Sequence, residues 1–164
     1  MTFTREEVAR VTPQVSAVGR AWTAHCEGCS LTAYPDNGAC SVGYGHRGVP
    51  EGTVWTEQQA EENLDDDLAG AAYAVSVLVK VPLTQGQVDA LADFVFNLGS
   101  GKLAGSTLLR MLNNGEYDKV PAELRRWKYA AGLVNEGLIA RRSGEVILWN
   151  GGNPLDDGAS QISK

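Results

Sequence analysis

The sequence contains no long apolar run. Its most apolar stretch, Ala69 to Val79, is eleven residues long and holds a serine. A membrane-spanning helix needs about 20 such residues. The first ten residues carry Arg5, Glu6, Glu7 and Arg10 where a signal peptide would need an apolar core. The expectation is a chain made in the cytoplasm, with no export signal and no membrane anchor of its own. Cysteine is scarce: Cys26, Cys29 and Cys40 are the only three, an odd number that does not suit a disulfide scaffold. Positive charge is also short. Fourteen Lys and Arg face twenty Asp and Glu, for a net charge of −6. That lacks the basic footprint of a general nucleic-acid binder, so nucleic acid is not an expected partner. There is no internal repeat and no low-complexity tract.

What is present fits one globular domain. The chain has 164 residues, 43% of them hydrophobic and 21% charged, which argues against disorder. At this size folding buries about 68–70% of the unfolded surface, enough for a core without staples. Nineteen glycines exceed the usual ~7% share. They show no G-X-Y period, so they must serve turns or close approaches.

Three textures follow one another. Val15, Val18, Ala21 and Trp22 recur at helical spacing after Pro13, and Gly28 is a natural stop. Residues 29–55 are rich in glycine and β-formers. Leu31–Tyr34 and Ser41–Gly45 read as strands joined at Pro35-Asp36-Asn37-Gly38, with a third short strand near Val54. From Thr56 onward the pattern is helical. Thr56-x-x-Gln59 and Thr84-x-x-Gln87 both fit capping boxes, predicting helices near 57–80 and 85–97. Others are expected at about 106–113, from Pro121 through Tyr129, and from Gly137 to about Trp149. The tail from Pro154 lacks a pattern and reads as loose. The fold class is α+β, mainly α. A hairpin lobe with the first helix (about 14–55) faces a helical lobe (about 56–150), and two lobes usually leave a cleft.

Several residues could carry chemistry. Glu27 ends the first helix, at the negative end of its dipole, with Trp22, Cys26 and Cys29 nearby. Both circumstances disfavour the charged form, which suits a general acid. A solvated surface glutamate is the plainer alternative. Asp36 lies nine residues on, at a turn where Asp is ordinary. Two carboxyls flanking a cleft are the glycosidase arrangement. The strand Ser41 to His46 alternates, so Ser41, Gly43 and Gly45 share a nearly bare face that a sugar ring could lie against. Tight packing explains those glycines equally well. Cys26, Cys29, Cys40 and His46 can be read as a zinc site, as one disulfide plus a thiol, or as reduced thiols. The last suits a cytoplasmic chain.

The run Glu27-Gly28-Cys29-Ser30-Leu31-Thr32-Ala33-Tyr34-Pro35-Asp36, followed by Ser41-Val42-Gly43-Tyr44-Gly45-His46, resembles the phage-type lysozymes, glycoside hydrolase family 24. Phe94-Val95-Phe96-Asn97-Leu98-Gly99, Ser106–Asn113 and Arg126-Trp127 extend the likeness. So does Gly137-Leu138-Ile139-Ala140-Arg141-Arg142 with Glu145 and Leu148-Trp149. The blocks occur in family order over about residues 20–150.

The resemblance implies an endolysin muramidase that hydrolyses the β-1,4 bond between N-acetylmuramic acid and N-acetylglucosamine in peptidoglycan. Glu27 matches the general acid and Asp36 the second carboxylate. Ser41 stands where the family usually has Thr, keeping the hydroxyl and losing the methyl that fixes its rotamer. The triad implies an inverting reaction through a held water. Gly43, Tyr44, Gly45, Phe96 and Asn97 fall where the glycan would be bound. His46 is expected to pair with an acid of the next helix, Asp67 by register. Arg141, Arg142 and Glu145 are expected to form structural ion pairs. No cofactor and no metal are expected, and the chain should act as a monomer released by a holin. A wall-binding or zinc-stabilised module without turnover is the rival, and a transglycosylase is a third reading. The net charge of −6 sits awkwardly with an acidic substrate, unless Arg125, Arg126, Lys128, Arg141 and Arg142 form a positive face.

Overall fold

The computed structural model describes residues 13–156. The charged positions Arg5, Glu6, Glu7 and Arg10, and the tail from 157, lie outside the described residues.

Helix α1, Ala17–Glu27, starts at Ser16, whose side chain accepts from the Gly19 amide. It stops at Gly28, which turns the chain out at φ 64°. A three-stranded antiparallel sheet follows: β1 Ser30–Asp36, β2 Ala39–Gly43 and β3 His46–Arg47. Asn37 and Gly38 both take positive φ, as a tight two-residue hairpin turn demands. Asp36 is therefore the last strand residue, paired with Ala39, rather than a residue of the turn itself.

The strand expected from Ser41 to His46 is broken. β2 ends at Gly43, and Gly43 and Gly45 adopt φ of 65° and 85° in a second tight turn. That turn brings His46 opposite Val42 and Arg47 opposite Ser41. The bare Ser-Gly-Gly face does not form. The third strand is this His46–Arg47 pair, and Val54 makes only a single bridge to Thr32.

The remaining helices surround one core. Helix α2 spans Glu57–Leu78 and α3 spans Gln85–Leu98, each with the expected capping box. Short helices α4, Ser100–Ala104, and α5, Thr107–Asn113, follow, then α6, Val120–Leu124. The helix expected to reach Tyr129 ends at Leu124. Tyr129–Ala130 (β4) instead pairs with Leu133–Val134 (β5) across Ala131-Gly132, both at positive φ. Helix α7, Glu136–Trp149, is capped by the Asn135 side chain. The chain beyond α7 is not loose as far as Asp156: Pro154 is buried and Asn153 closes a turn.

The central helix is α3, buried on all sides from Val88 to Val95. Two acids, Asp89 and Asp93, lie on one face of it at i, i+4 spacing. Both meet α1. Asp89 accepts from the Ser16 amide at 2.8 Å, and Asp93 accepts from the Thr23 hydroxyl at 2.8 Å. Gly19 lies at this crossing, where a Cβ would come within 2.6 Å of the Asp89 carboxyl carbon. These contacts fix the end of α1, and with it Glu27, relative to the core.

Candidate active site

Glu27 occupies the last turn of α1 and is not surrounded by apolar groups as expected. Its Oε1 accepts from Arg141 Nη1 at 2.6 Å. Arg141 is committed at its other end: Nε and Nη2 donate to the two oxygens of Asp93 at 2.9 and 2.8 Å. Burial works against the charge of Arg141, but Asp93 and Glu27 outweigh it and its pKa is raised. Burial likewise opposes ionisation of Asp93. Arg141 and the Thr23 hydroxyl overcome it, and the pKa falls. The other Glu27 oxygen faces the β2–β3 turn, and a Cβ on Gly45 would lie 3.1 Å from Oε2. Gly45 is thus required twice, by its φ and by this close approach.

Asp36 sits across the hairpin. Its Oδ2 accepts from the fully buried Ser41 hydroxyl at 3.0 Å. Arg47 Nε lies 3.2 Å from the same oxygen. The Tyr34 hydroxyl pKa is raised by burial, then by the charges of Asp36 and Glu27.

The expected substrate contacts divide. Gly45 and Phe96 line a depression of about 300 Å³ together with His46, Arg47, Asp67 and Ser100. Gly43 instead packs under Trp55, 3.0 Å from where its Cβ would be. Tyr44 turns away and donates to Glu61, with its hydroxyl pKa pushed up to about 12 chiefly by that bond. Asn97 is half-buried and accepts from Arg142 Nη2 at 2.9 Å; it does not line that depression. His46 Nδ1 lies 3.0 Å from Asp67 Oδ2, the partner that register predicts.

The C-terminal charges do two jobs. Arg142 and Glu145 form a buried pair at 2.7 Å and are structural as expected. Arg141 bonds Glu27 directly, which the sequence reading did not anticipate. Both arginines are buried, so the expected positive face reduces to Arg125, Arg126 and Lys128, with Arg126 paired to Glu123. All three cysteines are free thiols. Among the described residues no group of three or more His, Cys, Asp or Glu could hold a metal ion. None of the described helices is long and apolar enough to cross a membrane.

A helical body with a small three-stranded sheet inserted after its first helix is a lysozyme-type fold. Residues 24–145 match the family model described as phage lysozyme, and the chain belongs to that family. It is 39% identical over 146 residues to an endolysin of Bacillus phage PZA, covering 86% of this chain and 57% of that protein. It is 38% identical over 143 residues to the endolysin of Salmonella phage P22, covering 83% of this chain and 97% of that one. The chain thus spans only about half the length of some relatives, the Bacillus phage endolysins, and nearly all of others. Among solved structures, the muramidase domain of SpmX from Asticaccaulis excentricus superposes with a TM-score of 0.78 at 33% identity, covering 83% of this chain and 97% of that one.

Proposed function

We propose that this chain is an endolysin muramidase that hydrolyses the β-1,4 bond between N-acetylmuramic acid and N-acetylglucosamine of bacterial peptidoglycan. The observation that supports the reading is the pair of carboxyls, Glu27 at the end of α1 and Asp36 at the end of β1, in a chain of the phage lysozyme family. The relatives' names, endolysin and muramidase domain, point the same way.

In this reading Glu27 gives its proton to the glycosidic oxygen as the bond to C1 breaks. A water bonds to C1 from the opposite face, and its proton passes to Asp36. One water is consumed, a reducing end appears, and the anomeric configuration inverts. Arg141 stabilises the carboxylate that Glu27 becomes. Ser41 fixes the orientation of Asp36. Gly45, Phe96 and Asn97 contribute to the glycan groove, while Gly43 and Tyr44 shape the turn that carries Gly45.

Residues 1–164 are taken as one domain, with 14–55 on one side of the cleft and 56–150 on the other. The enzyme would act as a monomer without cofactor, wait in the host cytoplasm, and reach the wall once a holin opens the membrane.

The test is digestion of purified peptidoglycan by wild type and Glu27→Gln, with products read by mass spectrometry. Reducing muropeptides from wild type and none from the variant are expected. Anhydro-muropeptides would assign a transglycosylase instead. Binding without products would assign a wall-binding module.

A further inference from the structure

We infer that Arg47 is a positioning residue for the hydrolytic water, acting through Asp36. The inference rests on the muramidase reading above. Arg47 is placed by pairing: β3 runs antiparallel to β2 and sets Arg47 opposite Ser41. Both side chains therefore serve the same carboxylate. The Ser41 hydroxyl donates to Asp36 Oδ2 at 3.0 Å, and Arg47 Nε lies 3.2 Å from that oxygen. Arg47 does more than supply charge. Its Nη2 donates to the Asp36 carbonyl at 3.0 Å and to the Asn37 carbonyl at 3.4 Å. One planar guanidinium thus straps the carboxylate and the backbone of the turn that carries it, an arrangement a lysine ammonium cannot copy.

Two consequences follow. Oδ2 is held by two partners, whereas among the described residues nothing hydrogen-bonds Oδ1. Oδ1 is then the oxygen left to accept the proton of the attacking water. Ser41 also lacks the methyl that would hold its hydroxyl in one rotamer. Arg47 supplies a second constraint on the oxygen that Ser41 holds, Oδ2. The Arg47 side chain is about half exposed, at 53%. An ion pair so placed contributes little to stability. Its role is the aim of the carboxylate.

The experiment compares wild type, Arg47→Ala and Arg47→Lys on soluble uncross-linked murein strands, measuring released reducing ends, with thermal midpoints alongside. For Arg47→Ala, kcat should fall on the order of tenfold or more, the scale of a misplaced catalytic group. KM should stay within about twofold and the midpoint should hold. Arg47→Lys should recover only part of kcat, and added guanidinium should raise the activity of Arg47→Ala where equal ammonium does not. A wild-type kcat in Arg47→Ala overturns the inference. So does a raised KM at unchanged kcat, which would make Arg47 a saccharide contact. If Arg47→Ala proves unstable, Arg47→Lys decides: full kcat in that variant overturns the inference, and partial kcat with an unchanged midpoint supports it. If wild type itself releases no reducing ends, it is the muramidase reading that fails.

Discussion

Arg141 reaches Glu27 at 2.6 Å with a guanidinium whose remaining nitrogens are already bound to Asp93. One cation therefore serves a carboxyl at the cleft and another wholly inside the core. Removing it strands Asp93 in a low-dielectric site. Arg141→Met is expected to lose about 3–5 kcal/mol, the usual result of breaking a buried pair from one side. Arg141→Lys should fall between, because a point charge cannot fork across two oxygens. Urea melts measure both. A melt of Arg141→Met that overlays wild type would show that Asp93 finds another partner. Glycan cleavage by Arg141→Lys should also drop, since Glu27 loses its fixed orientation.

The same cluster predicts a dependence of stability on pH. Three carboxyls, Glu27, Asp93 and Glu145, meet two arginines, Arg141 and Arg142. One proton balances the set. Burial holds the Glu145 carboxyl well above the usual range, Arg142 at 2.7 Å opposes it, and Asp93 nearby adds to the rise. The folded state then keeps a proton that the unfolded chain loses above about pH 4.3. Stability falls with rising pH wherever the folded state binds more protons than the unfolded one. The contribution of Glu145 is therefore fully present below about pH 4.3 and is lost as pH rises through its folded value. Glu145→Gln mimics the protonated form. Its stability should match wild type in acid and exceed it progressively toward alkaline pH. Parallel curves for the two proteins would mean that Glu145 is ionised in the fold.

Much of this architecture is legible in the sequence because local chemistry and the final packing agree. Thr56 and Thr84 announce their helices through side chains that bond within four residues. Gly28 ends α1 because a positive φ is needed there and nowhere else nearby. The failures have a different origin. Gly43 and Gly45 read as a bare strand face because alternation assumes a continuous strand, and two positive-φ residues end it. The Tyr129–Val134 hairpin begins where the expected helix ends, and its two strands are only two residues each, too short for an alternating pattern to mark them. Asp89 and Asp93 stand out at i, i+4 in the apolar stretch Val88–Val95, yet the partners that dock them on other helices, Ser16 and Arg141, lie 73 and 48 residues away. Neither Arg141 to Glu27 nor Arg47 to Asp36 follows from any period or cap. Each is a contact that exists only after the elements are docked.

The cysteines around Glu27 should differ sharply in reactivity. Burial is the main cause that pushes the Cys26 thiol up to about 12, with Asp93 adding to it and Arg141 opposing. At pH 8 almost none of it is thiolate, the form that reacts. Cys29 is exposed, and its thiol is raised mainly by its slight burial. Alkylation of the native protein by iodoacetamide, mapped by peptide mass, should label Cys29 well before Cys26. In denaturant the difference should vanish. Equal rates in the folded protein would mean that the α1 face carrying Cys26 opens on the timescale of labelling.

Gly45 is the position where backbone conformation and chemistry coincide. Its φ of 85° is strained for any side chain, and its Cβ would lie 3.1 Å from Glu27 Oε2. Gly45→Ala should cost roughly 1 kcal/mol or slightly more for the left-handed conformation alone. The larger effect should be on activity. The carboxyl is already held by Arg141 on one side, so it can yield only by loosening that bond or by shifting into the cleft. The contact asks Glu27 to give by a few tenths of an ångström, and since ~1 Å of misplacement at a catalytic group costs about 10²-fold, a loss of several-fold in activity is expected. The expected outcome is a modest loss in the urea midpoint together with a several-fold loss of reducing ends from peptidoglycan. Gly48→Ala is the control, since its φ of 86° imposes similar strain and its Cβ would meet nothing within 4 Å. It should lose comparable stability and keep its activity. If both variants lose activity equally, backbone strain around β3 matters and the approach of Gly45 to Glu27 does not.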